Sequence, residues 1–119
     1  GLYYARLRPN NAIGVDGGYY AVRLGDDDSY SIVWFGLNRD KLDAGESGME
    51  GVLGTYAIDD NEITFTDGEG FAACSEADGL SGVYRFTATG DQLRFAKVSD
   101  TCAARAHVVS SAALTRLNR

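Results

Sequence analysis

The sequence is poor in the residues that most chemical sites require. Its 119 residues include one histidine, one proline, one tryptophan and two cysteines. This set cannot supply an all-histidine or four-cysteine zinc site, and we expect no metal and no other cofactor. One proline and no low-complexity tract exclude a collagen-like or disordered chain. We therefore expect a single folded domain over residues 1–119.

Long apolar runs and an excess of positive charge are also absent. No stretch approaches the roughly 18 apolar residues that cross a bilayer, so we expect no transmembrane segment. Eleven basic and 17 acidic residues give a formal charge of −6, which makes phosphate-backbone binding a poor hypothesis, and we expect no nucleic-acid partner. The acids are concentrated between residues 26 and 78. This distribution indicates a solvated acidic rim, or alternatively a basic face elsewhere for an acidic partner.

The two cysteines, Cys74 and Cys102, do not form a Cys-x-x-Cys pair, which argues against redox catalysis. Both lie beside loop residues, and cysteines at the ends of neighbouring strands are well placed to pair. One hypothesis is a structural disulfide, which would place the protein outside the reducing cytosol, in the periplasm or secreted. We would then expect an export signal upstream of Gly1. The alternative is two independent thiols.

Short strand-like runs broken by Gly, Asp and Asn dominate the chain. We predict eight strands, at Leu2–Arg8, Gly18–Gly25, Ser29–Phe35, Val52–Ile58, Glu62–Thr66, Val83–Ala88, Gln92–Ser99 and Ala113–Asn118. Residues 36–50 and 67–80 are predicted to be polar loops. The one helix-friendly window is Ala103–Ser110. The predicted fold class is all-β, an eight-stranded antiparallel up-and-down barrel with one short helix near the C-terminus, with a sandwich as the alternative.

An internal repeat supports a meander of hairpins. Gly54–Ile58 turns into Glu62–Phe65, and Gly82–Phe86 turns into Gln92–Phe95, each reading Gly-x-Tyr-x-apolar, turn, polar-apolar-x-Phe. The glycines can absorb a bend or bulge. The third strand is apolar on both faces, so its outer side is predicted to be covered by the helix or by a partner subunit.

Alternation assigns the inward faces of the strands. The inward residues are predicted to be Tyr3, Ala5, Leu7, Tyr20, Val22, Leu24, Ile32, Trp34, Tyr56, Ile58, Ile63, Phe65, Tyr84, Phe86, Leu93, Phe95 and Lys97.

Part of the chain resembles the small lipocalin-like, or calycin-type, barrels of bacteria. The resemblance rests on the hairpin Gly54–Asp67, on Cys74, on Gly82–Tyr84 and on the segment Asp100–Arg105. The resemblance covers residues 51–119 well and residues 1–35 loosely. The Gly-x-Trp of the lipocalin signature corresponds here to Gly1-Leu2-Tyr3. The resemblance implies an eight-stranded barrel with a central cavity that holds small apolar molecules. Related barrels also serve as cyclases and other small-molecule enzymes.

Aromatic side chains on the inward faces are the candidate ligand-binding residues. We predict that the cavity is lined by Tyr20, Trp34, Tyr56, Phe65, Tyr84, Phe86 and Phe95. The alternative is a filled core, because an eight-stranded barrel is just wide enough to be packed by its own side chains.

Polar candidates have weaker support. Arg105 is expected to cap the barrel end, bonded to loop carbonyls or to Asp100, and Lys97 to reach solvent. His107 has no evident orienting partner, so we predict no catalytic residue. The acidic clusters at residues 26–28 and 59–62 are typical of hairpin turns rather than calcium loops.

The sequence supports three candidate functions. The first is an exported protein that binds a small apolar ligand inside the barrel, with binding expected rather than catalysis. The second is a small-molecule cyclase or isomerase that uses the same cavity. The third is a structural or partner-binding module with a filled core. A cavity above about 300 Å³ would disfavour the third.

Overall fold

The computed structural model describes residues 1–45 and 48–117. It consists of eight strands and two short helices. The strands are β1 Leu2–Leu7, β2 Gly18–Leu24, β3 Ser29–Trp34, β4 Met49–Asp59, β5 Glu62–Glu69, β6 Ser81–Thr89, β7 Gln92–Ser99 and β8 Leu114–Arg116. The helices are α1 Arg39–Asp43 and α2 Ala103–Ser110. In the described part of the chain, neither helix is long and apolar enough to cross a membrane.

The strands form a closed antiparallel barrel in chain order. Each strand pairs with the next, and β1 also pairs with β8, with Tyr3 opposite Arg116 and Tyr4 opposite Thr115. The predicted up-and-down barrel is therefore confirmed, and so is the helix over Ala103–Ser110. Closure by β1 and β8 excludes the sandwich.

Helix α2 completes the barrel wall where β8 is too short. On the β7 side, β8 reaches only the first two residues of β7, where Leu114 pairs with Leu93 and Thr115 with Gln92. Helix α2 packs against β7, and on its other side the imidazole of His107 lies 3.2 Å from the carbonyl oxygen of Arg8. The helix thus fills the gap between β7 and the end of β1.

The two ends of the barrel differ. One end carries three tight turns, between β2 and β3, β4 and β5, and β6 and β7, which include both acidic clusters. The turn residues Asp28 and Asp60 have φ values of 65° and 58°, a conformation that Asp adopts more readily than most residues. The other end, here called the α2 end, carries the long connections at residues 8–17, 35–48, 70–80 and 100–113.

The β3–β4 connection contains a helix where the sequence predicted a polar loop. Leu42 of α1 is fully buried in a cluster with Ala21 of β2, Val33 of β3 and Phe35, which directly follows β3. Asn38 caps the helix by accepting a hydrogen bond from the Asp40 amide. The outer side of β3 is thus covered within the chain, by α1 rather than by α2. Association through the third strand has no support from this face.

Both repeat glycines lie beside irregularities in strand register. The β4–β5 register shifts at Leu53–Gly54, and the β6–β7 register shifts at Val83–Tyr84. A Cβ at Gly54 would collide with the Thr66 carbonyl oxygen and the Tyr30 ring, and one at Gly82 would collide with the Asp100 carboxylate. The glycines therefore permit close approach as well as bending.

Alternation placed the inward residues on the correct face, but two of them, Ile58 and Lys97, are exposed near strand ends. Ile58 pairs with the buried Ile63 but is 54% exposed, and it lies next to the β4–β5 turn. Lys97 pairs with the buried Tyr84 just before the register shift, and its side chain is exposed near the end of β7, which agrees with the expectation that it reaches solvent. Asp67 was assigned to a solvated loop, yet β5 continues to Glu69 and Asp67 is only 3% exposed.

Candidate functional site

A cavity of about 340 Å³ opens at the α2 end of the barrel. Four barrel strands, α2 and two connections contribute to its wall. The lining residues are Gly14, Val15, Asp16, Tyr20, Ile32, Trp34, Met49, Gly51, Val52, Asp67, Phe71, Ala72, Ala104, Arg105 and Val108. The wall is mostly apolar, as small-molecule sites usually are. Phe71 and Met49 are 74% and 52% exposed, which places apolar surface at the cavity mouth.

Two aromatic residues tie the β1–β2 connection to the wall. Tyr20 and Trp34 are paired across β2 and β3. The Tyr20 hydroxyl donates to the Asp16 carbonyl oxygen at 2.6 Å, and the Trp34 indole N–H donates to the Gly17 carbonyl oxygen at 3.2 Å. Burial, together with the nearby Asp16 charge, raises the pKa of Tyr20. Because the polar tips are engaged, the two rings offer the cavity mainly apolar surface.

The cavity floor is a buried ion network centred on Arg105. Its Nε–H donates to Asp100 Oδ2 at 2.8 Å, and its Nη2 donates to Asp100 Oδ1 at 2.6 Å and to the Gly79 carbonyl at 3.0 Å. Its Nη1 donates to the Leu80 carbonyl at 2.8 Å and lies 3.2 Å from Asp67 Oδ1. The side chains of Arg105, Asp67 and Asp100 are at most 1% exposed. Arg105 is thus the barrel-end cap that the sequence predicted, with Asp67 as an additional partner.

Two tyrosines and the disulfide complete the network. The Tyr30 hydroxyl donates to Asp67, and the Tyr84 hydroxyl donates to Asp100. The sulfurs of Cys74 and Cys102 are at bonding distance, with their Cα atoms 6.3 Å apart. The backbone N–H of Cys74 donates to Asp67 at 2.7 Å, and that of Cys102 donates to Asp100 at 2.9 Å. The disulfide therefore joins the two segments that hold the carboxylates.

The network raises the pKa of Tyr84 and of Arg105 and lowers the pKa of Asp100. Burial raises the pKa of Tyr84, and its hydrogen bond to the Asp100 carboxylate adds to the effect. Burial opposes ionisation of Asp100, but the hydrogen bonds from Arg105, Tyr84 and the Cys102 N–H outweigh it and lower the pKa of Asp100. Burial likewise opposes the charge of Arg105, yet Asp100 and Asp67 raise its pKa. The contacts between Asp100 and Arg105 therefore favour the ionised form of each.

The seven predicted cavity residues fall into three groups. Tyr20 and Trp34 line the cavity. Phe65, Tyr84 and Phe95 are buried in a packed aromatic cluster in the barrel interior, with ring centroids 5.5–6.4 Å apart. The third group, Tyr56 and Phe86, is half-buried toward the tight-turn end, where the Tyr56 hydroxyl donates to the Gly25 carbonyl and the Phe86 N–H to the Asn61 carbonyl.

Sequence reasoning missed several residues of the site. Asp67 has the same parity as Ile63 and Phe65, and Tyr30 the same parity as Ile32, so alternation extended by one step would have placed both inside. Phe71, Ala72 and residues 14–16 lie in connections, where no periodicity assigns a face.

No family model, curated protein or solved structure matches the chain. The barrel architecture is compatible with a calycin-type fold. Within residues 1–45 and 48–117, no group of three or more His, Cys, Asp or Glu side chains is arranged to hold a metal ion.

Proposed function

We propose that the chain binds a small apolar molecule in the cavity at the α2 end, as the resemblance to lipocalin-like barrels implies. The observation that carries the proposal is the cavity itself, about 340 Å³ with a mainly apolar lining. This volume lies in the range typical of small-molecule sites and disfavours a core filled throughout. The cavity occupies the α2 end, while the aromatic cluster fills the interior beside it.

The engaged polar groups favour binding over catalysis. Arg105, Asp67 and the hydroxyl of Tyr20 all make hydrogen bonds or ion pairs within the protein. A general acid or base needs a proton-transfer atom within reach of the substrate. The polar atoms of these groups are instead bonded to other protein atoms. Burial of ligand apolar surface would supply the binding free energy, at about 25 cal/mol per Å² before the costs of association.

The single tryptophan makes the proposal measurable. Trp34 lines the cavity, so an occupant there should change its fluorescence. We expect the neutral probe N-phenyl-1-naphthylamine to bind, with enhanced probe emission and a parallel change at Trp34. Absence of binding by the folded protein would overturn the proposal.

A pair of helix variants tests the location. Ala104 lines the cavity, whereas its neighbour Ala103 is exposed and does not. Ala104→Phe should weaken probe binding by at least about tenfold, which is about 1.4 kcal/mol. Ala103→Phe adds the same side chain to α2 and should leave affinity unchanged. Unchanged affinity in a folded Ala104→Phe would place the probe elsewhere.

We also propose that the protein works outside the cytosol, because structural disulfides persist in oxidising compartments. Native mass spectrometry of protein purified from its own host without reductant tests both the disulfide and the bound ligand. The expected mass is lower than that of the reduced chain by two hydrogen atoms, and a retained small molecule would reveal the ligand class. Two free thiols would overturn the extracytoplasmic assignment.

A further inference from the structure

The charged residues that line the cavity are two acids and one base. The charged side chains are Asp16 at the mouth and Asp67 and Arg105 at the floor. The five guanidinium N–H groups of Arg105 all meet protein acceptors, namely Asp100, Asp67 and two backbone carbonyls. The guanidinium therefore has no donor left for an anionic ligand.

The floor carries more negative than positive charge. Two buried carboxylates, Asp67 and Asp100, share one guanidinium, that of Arg105. Asp16 adds a second, exposed negative charge at the mouth, close enough to the Tyr20 hydroxyl to raise its pKa. A ligand carboxylate would lose hydration without gaining a cationic partner. A ligand cation would be attracted both by the excess negative charge of the floor and by Asp16.

Aromatic rings accompany this charge. Tyr20, Trp34 and Phe71 line the same cavity as Asp16, and the polar tips of Tyr20 and Trp34 are occupied by backbone carbonyls. Aromatic faces attract alkylated ammonium groups through the ring quadrupole, with Trp the most effective. A carboxylate beside such rings suits a charged nitrogen that bears apolar substituents.

We propose that the ligand is an organic cation with an apolar body, such as a hydrophobic amine or quaternary ammonium compound. Its nitrogen lies at the mouth beside Asp16 and the aromatic rings, and its apolar body contacts Ile32 and Val52 deeper in the cavity. This inference rests on the proposed binding function and assigns the chemical class of the ligand.

Three ligands that share one alkyl chain test the charge preference. Octyltrimethylammonium, 1-octanol and octanoate are titrated separately below their aggregation limits, with Trp34 fluorescence and calorimetry as readouts. We expect the cation to bind about tenfold or more tighter than octanoate, with octanol between them. Added salt should weaken binding of the cation and leave octanol nearly unaffected.

Two charge-matched variants test the role of Asp16. Its side chain is exposed, and Tyr20 bonds to its backbone carbonyl, so Asp16→Asn should preserve the fold. This variant should lose most of the preference for the cation and keep its affinity for octanol. Asp26→Asn makes the same charge change at the tight-turn end. It should alter neither the preference for the cation nor the affinity for octanol.

The outcomes separate the two proposals. If none of the three octyl compounds binds, the cavity-binding function itself fails. If octanol binds but the cation binds no tighter than octanoate, the function stands and the charge preference is wrong. A preference that persists unchanged in Asp16→Asn overturns the placement of the nitrogen.

Discussion

Replacing Arg105 with methionine should cost more stability than any change on the barrel surface. Methionine approximates the length of arginine and adds no new polar group, so the loss of charge and donors dominates the result. The variant leaves Asp67 and Asp100 buried without their shared cation, and the Gly79 and Leu80 carbonyls without their donors. Removing one partner from a buried ion pair costs about 3–5 kcal/mol. Since domains are stable by only about 5–15 kcal/mol, much of the folding free energy would be lost.

The pH dependence of this loss has a definite sign. The pKa of Asp100 is lowered in the folded protein, so its contribution to stability is full above its unfolded pKa of about 3.9 and is lost as pH falls through the folded value. Without Arg105, the Asp100 carboxylate loses the hydrogen bonds and positive charge that offset its burial, so the pKa of Asp100 should rise. As the pH falls and the Asp100 carboxylate becomes protonated, the unfolding free energy of the variant should approach that of the wild type. The difference in unfolding free energy should be largest near neutrality and shrink toward about pH 4.

Urea unfolding followed by Trp34 fluorescence, at about pH 7 and about pH 4.5, measures both effects. Arg85→Met is the matched control, because Arg85 is 65% exposed in its side chain and its nitrogen lies 3.8 Å from Glu62. That change should cost less than about 1 kcal/mol. If Arg105→Met does not fold at neutral pH, Arg105→Lys keeps the charge without the planar fork and should show an intermediate loss. A loss below about 1 kcal/mol for Arg105→Met, or one independent of pH, would refute the reasoning.

Two further changes test the covalent and packing supports of the barrel. The bond between Cys74 and Cys102 spans a sequence separation of 28, so replacing both cysteines with alanine should lower the unfolding free energy by about 3.6 kcal/mol in the chain-entropy model. Urea unfolding measures this, and a loss below about 1 kcal/mol would mean that the ion network holds the two segments without the bond. Leu42→Ala should cost about 2–5 kcal/mol, because Leu42 is fully buried. Leu37→Ala on the same connection should stay within about 0.5 kcal/mol, because Leu37 is 73% exposed, and equal losses in these two variants would contradict the packing of α1.

The barrel was predictable because its signals are local. Alternating apolar residues and Asp, Asn and Gly turns define each hairpin, and consecutive hairpins in a meander require little further information. The boundaries differ where strands run into connections, as in β4, which begins at Met49 rather than Val52, and β5, which ends at Glu69 rather than Thr66. Helix α1 was missed because it has five residues and a single buried side chain, Leu42, which is too little for a helical period to be visible.

The site was only partly predictable, for a different reason. Tyr20 and Trp34 belong to strands, so alternation placed them inside, and both line the cavity. Alternation cannot tell which inward rings pack against one another and which border a space. That distinction depends on the long connections, which bring Phe71 to the mouth. A filled region and a cavity therefore coexist in one barrel, although the sequence presented them as alternatives.

Under the proposed binding function, different residues of the α2 end stabilise the fold and face the ligand. Arg105 directs all of its donors at the protein, so the guanidinium stabilises the barrel end and is withdrawn from recognition. The proposed ligand discrimination then depends on the connections, because Asp16 and Phe71 line the cavity from them. Substitutions in these connections can alter the preferred charge without disturbing the buried network. Substitutions at Asp67 or Asp100 would change fold stability and cavity charge together. A change of ligand class should therefore arise first at residues 14–16 and 71–72.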